Sequence, residues 1–409
     1  MIDQKQLLER FLRYVKVDTT ADPSNEGYPS SSGQLELGRI LKEELEALGL
    51  SATQDEHGIV LATLPGNVDG VPVVALNSHV DTSPETTGAN VQPNVIENYD
   101  GKDIALGTSG ISITNTENPE LADLVGKTLI TTDGTTLLGG DDKAGVAIIM
   151  QVVETLLADP SIPHGDVRIL FTCDEEIGMG VKHVDVSALK ADVCYTLDGG
   201  GAGDIDAETF SADGALVTVE GINIHPSIAK DRMVNSLRGM AEFIARLPSE
   251  TLAPEVTEGR EGFLHPYDLT GAVDRSVLKV LLRDFETENL EKHAKVLHKI
   301  APEVEQAVPG CRVTVEVSKQ YRNLGDGLKK EPRAISHAEE AHKRLGKPYK
   351  LGAIRGGTDG SRLTELGLPT PNLSSGQHNP HSPREFACLD EMVEACEVVV
   401  ELLKVWAGK

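Results

Sequence analysis

The sequence predicts an α/β protein: a mainly parallel sheet flanked by helices, interrupted by a smaller inserted α+β domain. Three observations carry this prediction. Short apolar runs alternate with amphipathic segments through the first half of the chain, the pattern of a sheet covered on both faces. From about Phe210 a self-contained block of strands and helices takes over, and after Tyr321 the earlier alternation resumes. The length, 409 residues, exceeds what one ordinary core organises and favours two domains. The expected division gives residues 1–208 and 322–409 to the larger domain and 209–321 to the insert.

The elements follow in order. Leu7, Leu8, Phe11, Leu12 and Val15 recur at helical spacing, so the chain opens on an amphipathic helix. A Pro/Ser/Gly-rich loop over 22–33 leads to a second helix, 34–48, closed by Gly49. Residues 71–77 form a short, nearly all-apolar run, as a strand buried on both faces requires. Residues 83–127 are rich in Asn, Thr and Gly and read as a long surface excursion. A helix over 145–158 and strands over 167–173 and 193–197 complete the first part. In the insert, strands at 216–220, 276–285 and 312–317 alternate with helices at 234–247 and 290–308.

Composition narrows the function. Against 38 Lys and Arg stand 64 Asp and Glu, a formal charge of −26. That balance repels phosphate backbones and anionic bilayers, so neither nucleic acid nor membrane is expected as a partner. It suits a small-molecule enzyme that gathers carboxylates around metal cations. The five cysteines (Cys173, Cys194, Cys311, Cys388 and Cys396) are odd in number and form no CxxC pair, which argues against a disulfide framework or a zinc knuckle. Charges break every apolar run near the N-terminus, unlike a signal peptide, and the apolar run at 146–153 is far too short to span a bilayer. A cytoplasmic location is the expectation.

Five segments place a His, Asp or Glu just after a predicted strand, where ligands bind in α/β sheets. They are Asn77-Ser78-His79-Val80-Asp81, Gly139-Gly140-Asp141-Asp142-Lys143-Ala144-Gly145, Cys173-Asp174-Glu175-Glu176-Ile177-Gly178, Leu197-Asp198-Gly199-Gly200 and Asn379-Pro380-His381. Each has an ordinary alternative: a surface turn for His79 and Asp81, a helix N-cap pair for Asp141-Asp142, a solvated acidic loop for Asp174 to Glu176, and a turn for Asp198. His378, three positions before His381, is a decoy candidate. Together the segments supply two imidazoles and a surplus of carboxylates without thiolate, a donor set for two closely spaced divalent ions, zinc first.

In order and context these segments resemble the M20 family of co-catalytic zinc peptidases along nearly the whole chain. The run 129–145 (LITTDGTTLLGGDDKAG), His225-Pro226 and Arg355-Gly356-Gly357-Thr358-Asp359-Gly360 extend the resemblance. The TTDGTTLLG run and the long segment between His79 and Asp141 favour the family's tripeptide aminopeptidase branch. The resemblance implies that His79, Asp141 and Asp198 hold one zinc ion, and that Asp141, Glu176 and His381 hold the other, with manganese or cobalt as substitutes. It implies that Asp81 orients His79, and that Glu175 is the general base for a metal-bridging hydroxide that attacks the peptide. Two divalent ions against three carboxylates and one hydroxide are near neutral, which frees Glu175 for proton transfer.

The implied insert is a ferredoxin-like lid and dimerisation domain that closes through hinges near 207–211 and 321–324. From it His225 would stabilise the oxyanion, while Asn235 and Arg283 match substrate-binding motifs; Arg355 is a further candidate, equally readable as a loop anchor. Small peptides with a free N-terminus are the implied substrates, and a homodimer through the insert is the implied assembly. A dipeptidase or a deacylase of N-acyl amino acids is the alternative, because the same centre hydrolyses any amide placed over it. Two departures from the family pattern stand out: Ser227 replaces the usual Gly after His-Pro, and prolines 380 and 383 flank His381 where Gly usually follows the His.

Overall fold

The computed structural model describes residues 2–107 and 109–409. By its internal contacts the chain divides into two compact units: Met1–Ala207 with Gly327–Gly352 and Thr358–Lys409, and Glu208–Asp326 with Ala353–Gly357. The segment Ala353–Gly357, expected to stay with its neighbours in 322–409, belongs with the second unit. Among the described residues, no helix is long and apolar enough to cross a membrane.

The first unit is built on a mixed sheet. Along the main path of this 11-stranded sheet the strands run in the order Ser51–Gln54, Val60–Leu64, Val167–Thr172, Val74–His79, Val193–Gly200, Asn372–His378, Phe386–Cys388, Leu129–Thr131 and Asn94–Ile96. Along this order the four central strands, from Val167–Thr172 to Asn372–His378, are mutually parallel. The flanking pairs are antiparallel, so the parallel character is confined to the middle. The strand Val74–His79 is buried at all six positions, as its uninterrupted apolar start requires.

The helix Gly140–Ala158 crosses this parallel core and is buried nearly all round; Val146, Ala147, Ile148, Ile149 and Met150 are fully inaccessible. Asp141 and Asp142 have non-helical backbone angles and are joined by a cis peptide bond, so the regular helix begins after them. Gly145 sets how closely the helix meets the sheet, because a Cβ there would lie 2.1 Å from the carbonyl oxygen of Leu197. Backbone cannot yield like a side chain. Gly145→Ala should therefore cost about 2–3 kcal/mol of stability, read as a lower denaturation midpoint.

The polar stretch 83–127 is more than a surface excursion. Tyr99, Ile104, Leu106, Ile113, Leu121 and Leu124 close a small core on Phe386 and Cys388. These apolar residues are spread singly among Asn, Thr and Gly, so no periodicity announces them.

In the second unit, four antiparallel strands stand in the order Phe263–Gly271, Arg275–Asp284, Ser211–Glu220 and Arg312–Tyr321. With the helices Ser236–Ala245 and Thr287–Ala307 this is a β-α-β-β-α-β arrangement. The edge strand Phe263–Gly271 escapes a sequence reading because Pro266 interrupts it, and the pairing register shifts there. The core lies between sheet and helices, around Val217, Val219, Phe243, Leu282 and Leu297.

Candidate metal centre

The carboxyl ends of the four parallel strands meet at one place. In the pairing of Val74–His79 with Val193–Gly200, Asn77 lies opposite Thr196, which brings His79 level with Asp198. On the other side His79 pairs with Thr172, and the chain turns directly into the one-turn helix Glu175–Ile177. Asn372–His378 leads into the loop that carries His381. Asp141 enters from the start of the central helix.

Two donor groups result, and they share one residue. Ligand atoms of His79, Asp141 and Asp198 lie within 4.8 Å of one another, as do those of Asp141, Glu176 and His381. Asp141 faces both imidazoles, with Oδ1 3.1 Å from His79 Nε2 and Oδ2 3.4 Å from His381 Nε2. Asp198 Oδ1 is 3.7 Å from His79 Nε2, and Glu176 Oε2 is 2.8 Å from His381 Nε2. Glu176 Oε1 is buried with no hydrogen-bond partner. A carboxylate oxygen shut from water and unmatched by any protein donor fits a cation ligand. The donor set as a whole, two imidazoles and three carboxylates, fits a pair of divalent ions.

The electrostatics agree. Burial, then the neighbouring Asp141, push the carboxyls of Asp198 and Glu176 up to about 7. Burial opposes charge on Asp141 itself, yet the imidazoles of His381 and His79 hold it below the usual carboxylate range. Asp141 and Glu176 in turn push His381 up to about 11. The cluster is rich in negative charge and short of positive charge.

Around the donors stands a shell of buried hydrogen bonds. His79 Nδ1 faces the carbonyl oxygen of Asp81 at 3.2 Å and its Oδ1 at 3.4 Å, which leaves Nε2 for Asp141. The Asp81 carboxylate has a second task, accepting the peptide N–H groups of Glu175 and Glu176 at 3.0 Å each. Glu175 lies beside both donor groups and belongs to neither. Burial raises its carboxyl well above the ordinary value.

Further groups support the site; of these Glu385, Gln377, Asn372, Thr86 and Glu85 carried no sequence signal, whereas Asp142 was visible beside Asp141. Glu385, 1% exposed, accepts the N–H groups of Leu138, Gly139 and Asp141 at 2.7–3.0 Å and so fixes the loop that presents Asp141. Asp142 holds Ser78 Oγ at 2.5 Å, tying that loop to the His79 strand. Gln377 Nε2 donates to Asp198 Oδ1 at 3.3 Å, and Asn372 Oδ1 accepts the Asp198 N–H at 3.0 Å. His381, with φ 63°, is held by Thr86 Oγ1 donating to its carbonyl and by Glu85 Oε2 3.3 Å from Nδ1. His378 turns away to bond Glu391 at 2.7 Å and stack on Phe386, so it joins neither donor group.

The remaining candidates lie in the second unit. His225 is exposed at the start of a one-turn helix, with Nδ1 2.7 Å from Ser227 Oγ and 3.3 Å from the Ser227 N–H. A peptide N–H can only donate, so Nδ1 accepts and the neutral ring carries its proton on Nε2. Asn235 caps the helix Ser236–Ala245 through the Leu237 N–H at 3.0 Å. Arg283 donates to Gln320 Oε1 at 2.8 Å and lies over the Tyr321 ring. Arg355 donates to the carbonyls of Thr257, Gly259 and Glu261 and lies over Phe210 and Phe263, the bonding of a loop anchor.

Comparison with known proteins places this arrangement. The family model for peptidase family M20/M25/M40 matches residues 133–405. A protein named peptidase T from Geobacillus kaustophilus is 46% identical over 409 residues, covering 99% of each chain. One of the same name from Clostridium perfringens is 45% identical over 407 residues, 99% of this chain and all of that one. Among solved structures, aminopeptidase PepT from Bacillus cereus aligns over the full length of both chains with a TM-score of 0.77 at 23% identity. A dinuclear metal-binding M20 peptidase from Bacillus subtilis gives a TM-score of 0.67 at 14% identity, covering 99% of this chain and 98% of that one. With a family model spanning most of the chain and a relative 46% identical from end to end, the assignment is direct: the chain belongs to peptidase family M20/M25/M40.

Proposed function

We propose that this protein is a dizinc aminopeptidase that releases the N-terminal residue of tripeptides. The observation that carries the reading is the shared Asp141 between two donor groups, with a half-buried carboxyl, Glu175, raised by desolvation and part of neither group. His79, Asp141 and Asp198 would hold one ion, and Asp141, Glu176 and His381 the other. Bound there, the two ions supply Lewis acidity toward the scissile carbonyl and toward water.

The protein's own groups do the rest. Glu175 takes a proton from the attacking water and returns it to the departing amine; a raised carboxyl is suited to both halves of that transfer. Asp81 holds the His79 ring in the tautomer that leaves Nε2 free to bind, and aligns the Glu175 turn through two N–H groups. His225 is the proposed donor to the developing oxyanion, and its Nε2–H tautomer, set by Ser227, is the one that can donate. Arg283 is proposed to meet the substrate's carboxylate. Full-length relatives named peptidase T at 42–46% identity support the choice of tripeptides.

The test compares a free tripeptide, its N-acetylated form and the matching dipeptide on zinc-loaded protein, with bound metal measured alongside. The expected result is release of the first residue from the free tripeptide alone, with two ions per chain. Cleavage of the dipeptide or the acetylated peptide instead would move the assignment to a dipeptidase or a deacylase.

A further inference from the structure

The turn that carries Glu175 and Glu176 is held from two sides. Asp81 grips its N–H groups on one side. On the other stands a strap from far earlier in the chain, residues 28–34, which meets Asp174 immediately before the turn. Asp174 is 1% exposed and has φ 59°, a left-handed conformation uncommon outside glycine. Gln34, fully buried, reads it at two points: Nε2 donates to Asp174 Oδ1 at 2.6 Å, and Oε1 accepts the Asp174 N–H at 3.0 Å. Ser30 adds its N–H to Oδ2 at 2.7 Å and its hydroxyl to Oδ1 at 2.5 Å. Tyr28 Oη lies 2.9 Å from the Cys173 carbonyl oxygen and 3.2 Å from that of Gly180, at the two ends of the same loop.

The strap itself has little freedom. A Cβ on Gly33 would fall 1.6 Å from the carbonyl oxygen of Asp18, so the strap lies directly on the preceding backbone. Asp174 thus has no room to relax without moving Ser30 and Gln34, and the next two residues move with it.

We infer that Gln34 and Ser30 are positioning residues for the Glu175–Glu176 turn: through Asp174 they set the placement of the proton-transferring carboxylate and of one ligand of one metal group. A helix residue 140 positions upstream of Asp174 thereby acts on catalysis without touching substrate. The inference rests on Glu175 as general base only for its activity readout; the ligand Glu176 gives a second, independent one.

The experiment uses full-length protein carrying Gln34→Ala, Ser30→Ala or Ser30→Thr beside wild type. For Gln34→Ala, kcat on a free tripeptide should fall about 100-fold with KM within about twofold, since displacement of a catalytic group by about 1 Å has that cost. Chelator titration should release one zinc equivalent at about 10-fold lower chelator concentration and leave the other unchanged, because only one donor group contains Glu176. Ser30→Ala should show the same pattern more weakly, and Ser30→Thr, which keeps the hydroxyl, should recover most of it. Unchanged kcat together with unchanged zinc release would overturn the inference. So would equal weakening of both zinc sites with a lowered melting temperature, the mark of a merely structural role. If Gln34→Ala fails to fold, the Ser30 pair decides on the same readouts. If wild type cleaves no tripeptide, the reading of the reaction fails, while the one-site zinc release still judges the positioning role.

Discussion

Glu175→Gln should lower kcat by about 1,000-fold while the protein still binds two metal ions. The substitution preserves shape and removes only the ability to accept a proton. Glu175 stands outside both donor groups, so no ligand is lost. Its peptide N–H, not its carboxyl, bonds Asp81, so the turn keeps its anchor. Its carboxyl is raised chiefly by burial, and a neutral amide is no worse placed there than the acid it replaces. Glu176→Gln is the contrasting variant. It alters a carboxylate that faces His381 at 2.8 Å and carries an unpartnered buried oxygen, and it should weaken binding at one site. Turnover and zinc stoichiometry measured on both variants separate the roles. Parallel loss of metal and activity in Glu175→Gln would make Glu175 a structural or ligand residue and remove it as the base.

This separation of neighbouring carboxylates marks how far the sequence could be read. His79, Asp198 and the Glu175–Glu176 pair follow runs whose apolar character shows them to be buried strands, and parallel strands bring their carboxyl ends together. The site's location is therefore legible from hydrophobic pattern and residue type. Glu385 is not: it lies in a polar, proline-flanked stretch, and nothing local distinguishes it from a surface glutamate. Its function appears only when three N–H groups from a loop more than 240 positions away point at it. Gln34 is hidden in the same way, inside a helix whose periodicity explains it as one more buried position.

In the fold, the strand Phe263–Gly271 was obscured by Pro266, because edge pairing tolerates a residue that local propensity rejects. The antiparallel flanks of the main sheet were obscured for another reason. Strands of three residues, such as Leu129–Thr131 and Phe386–Cys388, are too short to show a period, and only their partners define them.

Asp141→Ala should have the broadest effect of any single substitution, because it subtracts a donor from both groups at once. Each site would keep two protein ligands, and zinc affinity at both should fall by well over the roughly 100-fold that loss of an outer-shell partner costs. Asp198→Ala and His381→Ala touch one group each and should leave the other ion in place. The three variants therefore form a set: two that lose one ion and one that loses both. Without metal the effect on the fold has two opposing parts. Asp141 is the carboxylate between two imidazoles, so its removal leaves His79 and His381 without their shared partner. It is also a cause of the raised carboxyls of Asp198 and Glu176, so the same removal relieves repulsion between buried acids. The metal-free variant should accordingly unfold close to the metal-free wild type, while zinc stabilises wild type alone, through binding to the folded state. Thermal unfolding with and without zinc, alongside metal analysis, checks both statements. A variant that still binds one ion at wild-type affinity would show that Asp141 serves a single site and does not bridge.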